Sequence, residues 1–118
     1  MTQPPRIPHD WLQPQWPAPA GVRALCTTRA GGVSTGPCAS LNLGSHVGDD
    51  PSAVQANRQR LQAVVQGATP GARAVFLNQV HGTAVATINP ATPDGTEADA
   101  CVATQPGGCS LQSRKVRP

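Results

Sequence analysis

Aromatic side chains are nearly missing from this sequence: among 118 residues there is no Tyr, one Phe (Phe76) and two Trp (Trp11 and Trp16). Proteins that grip single-stranded nucleic acid stack bases on such rings, so the shortage argues against that class. Charge is scarce as well, at 13% of residues, and the formal net charge of +3 is misleading. Arg114, Lys115 and Arg117 crowd the last five positions, and without them the basic and acidic side chains balance. The remaining arginines are scattered, so no basic patch implies a nucleic-acid partner. No run approaches the ~20 apolar residues of a membrane span. The opening "MTQPPRIPHDWLQPQWP" has no apolar segment of the kind a secretory leader needs. Cys26, Cys38, Cys101 and Cys109 form no C-x-x-C pair. Without a sign of secretion, free thiols in the cytoplasm are expected.

Core-forming residues are in short supply. Seven Leu, two Ile, eleven Val and one Phe make up about 18% of the chain, below the roughly 20% that ordinary globular domains exceed. Low charge argues against outright disorder. The composition therefore describes one domain with a thin core, cut by thirteen Pro and twelve Gly that favour loops over packed elements.

What is present falls into order along the chain. Residues 1–20 are a Pro-rich lead-in, with Trp11 and Trp16 as candidate anchors. "VRALCTT" (22–28) has the alternation of a strand. Residues 29–50 carry Gly, Ser and Asn throughout and predict a long structured loop, a kind that is usually functional or disordered. A helix should follow, with Asp50 as N-cap, Pro51 at the first position and Gly67 as the stop. On that helix Val54, Leu61, Val64 and Val65 share a face. Asn57 falls inside this face and is read as pinning the preceding loop by hydrogen bonds, in preference to contacting substrate. Strands are predicted at 74–80, 83–88 and 99–104, with a turn at His81–Gly82. After Gly107 neither alternation nor helical periodicity remains. The order strand, loop, helix and three strands suggests an α/β or α+β layer structure.

Several of these stretches resemble a known family. "TTRAGGVS", "SLNLG", "HVGDDP", "NRQRL" and "NQVHG" stand in the order of the laccase-domain family. That family is also called multicopper polyphenol oxidase or purine nucleoside phosphorylase, and it includes the peptidoglycan editing factor. The resemblance covers about residues 10–107. It implies an α/β fold of layered mixed sheets with helices, truncated here to about the N-terminal half. Residues 21–107 would then form the N-terminal part of the domain, and 108–118 an unrelated tail. The abrupt change near Gly107–Gly108 predicts a reading-frame shift, with the missing blocks encoded in another frame downstream.

The implied activity is phosphorolysis of adenosine, inosine, guanosine and methylthioadenosine, together with adenosine deamination. The partners would be a purine nucleoside and phosphate, with no nucleic acid and no membrane. The implied cofactor is zinc, with copper in an older description of the family as phenol oxidases. Its metal is held by the His of N-Q-V-H-G, the Cys of a later Ala-Asp-Cys and the His of a still later His-Ala-Gly-Trp-Arg-Gly. One of the three carries over, as His81. Cys101, in "EADAC", precedes the Pro-Gly pair where the family's ligand Cys follows it, so Cys101 is read as a small strand residue. Cys109 follows the Pro-Gly pair too closely and lacks the preceding Asp. His46 is read as a structural loop histidine and His9 as solvated. Arg29 and Asn42 suit phosphate or sugar oxygens, or Asn42 serves with Gly31 and Gly32 only to shape turns. Catalytic zinc wants about three protein ligands. The chain is therefore expected to be inactive alone. It would be either a non-catalytic fragment or one half of a split protein awaiting a complementing C-terminal half.

Overall fold

A computed structural model describes residues 7–8, 10–17, 22–89, 91–104 and, for the backbone alone, 108–111. His9 and the basic positions 114, 115 and 117 lie outside the described residues, as does the side chain of Cys109. The chain divides into two compact units, one ending at Asn57 and one beginning at Arg58.

The helix expected after Asp50 is present as α1, Pro51–Ala68. Asp50 starts it as read: its carboxylate accepts the Ser52 N–H at 3.1 Å and the Ser52 hydroxyl at 2.9 Å. Pro51 costs nothing at the first position, where no intrahelical partner exists for an N–H. The stop differs from the sequence reading. Gly67 stays inside the helix, and the Val65 carbonyl still accepts the Thr69 N–H at 2.8 Å. The chain instead turns at Gly71, whose φ of +84° suits glycine.

In the N-terminal unit the strand expected over 22–28 is reduced to one antiparallel bridge. Leu12 and Cys26 exchange backbone hydrogen bonds of 2.9 and 2.8 Å. The facing segment carries Pro14 and Pro17, which have no N–H to extend a ladder. Trp11, one of the two candidate anchors, is buried, whereas Trp16 is 52% exposed. The other buried apolar side chains of this unit include Leu41, Leu43 and Val54.

The C-terminal unit holds four short strands: β1 Arg73–Phe76, β2 Val85–Ile88, β3 Ala100–Ala103 and β4 Gly108–Leu111. They pair as two parallel two-stranded sheets, β1 with β4 and β2 with β3. Ala74, Val75 and Phe76 are buried in succession, as expected of a parallel strand covered on both faces. The first strand is shorter than the predicted 74–80. A loop takes over its end: the Asp94 carboxylate accepts the Phe76 N–H at 3.0 Å, and Gly95 N–H donates to the Phe76 carbonyl at 2.8 Å. β4 lies where the sequence shows no periodicity. A parallel ladder uses backbone groups, so alternation is not needed to form it. Gln62 ties α1 to β1, donating to the Ala72 carbonyl at 2.9 Å and accepting the Ala74 N–H at 2.7 Å. Arg58 lies over the Phe76 ring, 4.1 Å from its centroid.

Candidate functional site

The long loop at 29–50 is organised from within by polar side chains. Asn57 is fully buried and has no unmet hydrogen-bonding need. Its Oδ1 accepts the Val33 N–H at 2.8 Å, and its Nδ2 donates to Ser34 Oγ and to the Asn42 carbonyl, both at 2.8 Å. The pinning role expected of it is what the geometry gives. Asp49 extends the network, accepting from the Ser34 hydroxyl at 2.5 Å and from Asn42 Nδ2 at 3.1 Å. The Ser34 hydroxyl, then Asn42 and the Asp50 N–H, hold the Asp49 carboxyl below the ordinary range, against the opposing effect of burial.

Arg29 and Asn42 both sit in this loop. Arg29 is exposed, and its Nε donates to the Ala39 carbonyl at 3.0 Å. Its own carbonyl accepts the N–H groups of Ser40 and Leu41. The Asn42 side chain closes a local turn, accepting from Gly44 N–H at 3.1 Å and donating to the Gly44 carbonyl at 3.2 Å. Gly32 is required by contact: a Cβ there would stand 2.0 Å from the Ser40 carbonyl oxygen. His46 is exposed on the same loop.

His81 belongs to the C-terminal unit. It is exposed and has a φ of +59°, the one positive φ among the described non-glycine residues. Such a conformation costs a β-carbon residue energy and needs support from its surroundings. The support is Asp99, just before β3. Its Oδ1 accepts the N–H groups of Val80 and His81 at 3.0 and 2.7 Å, and its Oδ2 accepts that of Gly82 at 2.6 Å. The Gly82 N–H, with those of His81 and Val80 and the nearby His81 side chain, holds the Asp99 carboxyl below the ordinary range, although burial works the other way. Asp99 is the residue that sequence reasoning passed over. Nothing in the local spacing of "EADAC" marks it, because its partners are the backbone N–H groups of residues 80–82.

Cys101 lies in β3, half-buried. Cys26, Cys38 and Cys101 are free thiols. Among the described residues no three His, Cys, Asp or Glu side chains gather as metal ligands would. At His81 the donor set is one imidazole beside a carboxylate already engaged by backbone N–H groups. By itself that set does not fit catalytic zinc, which takes about three protein ligands.

The model of the family described as multi-copper polyphenol oxidoreductase laccase matches residues 23–112, and so includes both loops. The chain belongs to this family. A purine nucleoside phosphorylase of Pseudomonas aeruginosa is 46% identical over 109 residues, covering 92% of this chain and 42% of its own. A purine nucleoside phosphorylase of Escherichia coli is 47% identical over 108 residues, covering 91% of this chain and 43% of its own. A crystal structure of a Neisseria meningitidis protein superimposes with a TM-score of 0.70 at 45% identity. It covers 86% of this chain and 40% of that one. The α/β fold is thus that of solved relatives, and the chain spans less than half the length of those it matches. The match also runs past Gly107, through β4.

Proposed function

We propose that the chain supplies the N-terminal part of a purine nucleoside phosphorylase, with His81 as the side chain it delivers to the reacting centre. The observation that carries this reading is the His81 loop. A histidine in a family-matched segment is exposed in a conformation that needs a dedicated carboxylate to hold it. The relatives, which are purine nucleoside phosphorylases by name, support the reaction class.

In phosphorolysis an oxygen of inorganic phosphate bonds to C1′ of the nucleoside ribose. The bond from C1′ to the purine nitrogen breaks, and its electron pair leaves with the base, giving ribose 1-phosphate and free purine. Adenosine, inosine, guanosine and methylthioadenosine are the proposed substrates. A second proposed activity is hydrolytic deamination of adenosine, in which water's oxygen replaces the amino group on the purine ring to give inosine and ammonia. Arg29, exposed with its Nε engaged, is assigned to phosphate or sugar oxygens. Asn42 is committed on both side-chain atoms to its own loop, so its contribution is to the loop's shape. His81 is proposed as one metal ligand, with zinc as the metal. Further ligands then have to come from outside the described residues. A cytoplasmic setting, where thiols such as Cys26, Cys38 and Cys101 stay reduced, is part of the proposal.

The test is purine release from inosine in phosphate buffer, measured for the chain alone and for the chain joined to a polypeptide carrying the remaining length of a matched relative. The reading expects no product above blank from the chain alone, and turnover from the joined protein that is lost in His81→Ala. Joined protein that folds and remains inactive overturns it. The family's description as a multi-copper polyphenol oxidoreductase favours a second reading, copper-dependent oxidation of phenols. Metal analysis of the same joined protein separates the two, since zinc without copper counts against the oxidase.

A further inference from the structure

We propose that Asp99 is the positioning residue for His81, acting through the backbone of the loop rather than on the imidazole. The inference rests on the reading of His81 as the functional side chain of that loop. Residues 79–83 leave the body of the unit and return, and both ends are fastened to one stretch of chain. Asn78 N–H donates to the Thr96 carbonyl at 2.9 Å, and Ala98 N–H donates to the Asn78 carbonyl at 3.1 Å. At the other end Asp99 N–H donates to the Ala84 carbonyl at 3.1 Å, where β2 and β3 begin their register. The Asp99 side chain adds a third fastening, between these two ends. Three consecutive N–H groups converge on its two oxygens at 2.6–3.0 Å.

Consecutive N–H groups aimed at one point form a concavity that binds an anion. Here the anion is a side chain of the protein, so the loop's conformation is set from within. Hydrogen bonds to an ionised acceptor are the stronger kind, which suits a carboxylate that must offset the left-handed backbone at His81. Gly82 is not required by space, because a Cβ there would stand 3.6 Å from Asp99 Oδ2, an ordinary contact. The loop therefore depends on the carboxylate more than on the glycine beside it.

The test uses the chain, isotope-labelled and joined to the remaining length of a matched relative, the same protein that tests the proposed function. Asp99→Asn keeps one carbonyl oxygen and replaces the other acceptor with a donor. Amide exchange at Val80, His81 and Gly82 should accelerate by about tenfold or more, and the backbone coupling that reports φ at His81 should leave its left-handed value. Exchange at Ala74, bonded to Gln62 and remote in sequence, should change less than about twofold. A second variant covers loss of folding. His81→Gly removes the left-handed penalty that the carboxylate offsets, so Asp99→Asn should accelerate exchange at 80 and 82 less in the His81→Gly background than in the native one. Unchanged exchange and unchanged φ in Asp99→Asn overturn the proposal, as does an acceleration at least as large in the His81→Gly background. The functional reading fails differently: a joined protein without phosphorolysis and with the 80–82 amides protected overturns the role of His81 and leaves Asp99's hold on the loop intact.

Discussion

Asn57 satisfies three separate points of the 29–50 loop from a position with no solvent exposure. Truncation to Ala would strand buried polar partners, so Asn57→Ala should cost about 1–3 kcal/mol, measured by urea unfolding of the chain joined to the rest of a relative, as for the stability predictions that follow. An unchanged midpoint would show that water replaces the amide. Gly32 is equally constrained, by contact: Gly32→Ala forces the Ser40 backbone aside and should lower the thermal midpoint more than Gly44→Ala, where the nearest atom lies 3.6 Å away. Asp49 gives a pH dependence with a defined sign. Its carboxyl is held below the ordinary value, so the unfolded chain binds the proton more tightly. The stabilisation is full above the unfolded pKa and is lost as pH falls through the folded one. Asp49→Asn should flatten that acid limb of the stability profile, and an unaltered limb would assign it to other groups. Asn57 was legible as an amide on an apolar helix face. Asp99 was not, because its partners are backbone N–H groups reached across the fold, and nothing in local spacing announces them.

The elements follow the same division between what is local and what is not. Helix α1 could be placed from its cap and periodicity, and Leu61, at 2% exposure, is among its most buried side chains. Leu61→Ala should cost about 2–5 kcal/mol. Asp50→Ala, which removes the cap, should cost about 1 kcal/mol. A ranking in the reverse order by chemical denaturation would mean that capping, not packing, holds the helix. Strand ends were harder to place. β1 stops at Phe76 because Asp94 and Gly95 take its last backbone groups, and the 22–28 strand fails because its partner segment contains prolines. Both outcomes depend on which segment lies opposite, and a strand's own alternation does not encode that. β4 shows the converse case, a strand without a pattern, made by pairing with β1.

At the scale of the whole chain, two parallel pairs stand where parallel sheets are normally wider and covered on both faces. Val85 and Val102, in β2 and β3, are 60% and 51% exposed. Open edges and uncovered apolar residues favour association. The chain alone should unfold over a broad temperature range and self-associate, as followed by calorimetry and light scattering. A sharp two-state transition in a clean monomer would contradict this. The family was legible from five short blocks, and the comparisons bear it out over residues 23–112. The complete reacting centre was not, because one expected metal ligand, His81, is carried here and the matched relatives are more than twice as long. The most direct measurement of the central claim is purine release from inosine and phosphate by the chain joined to the rest of a relative, with and without His81→Ala. The account predicts turnover that disappears in the variant. Turnover that persists without the His81 imidazole would contradict it.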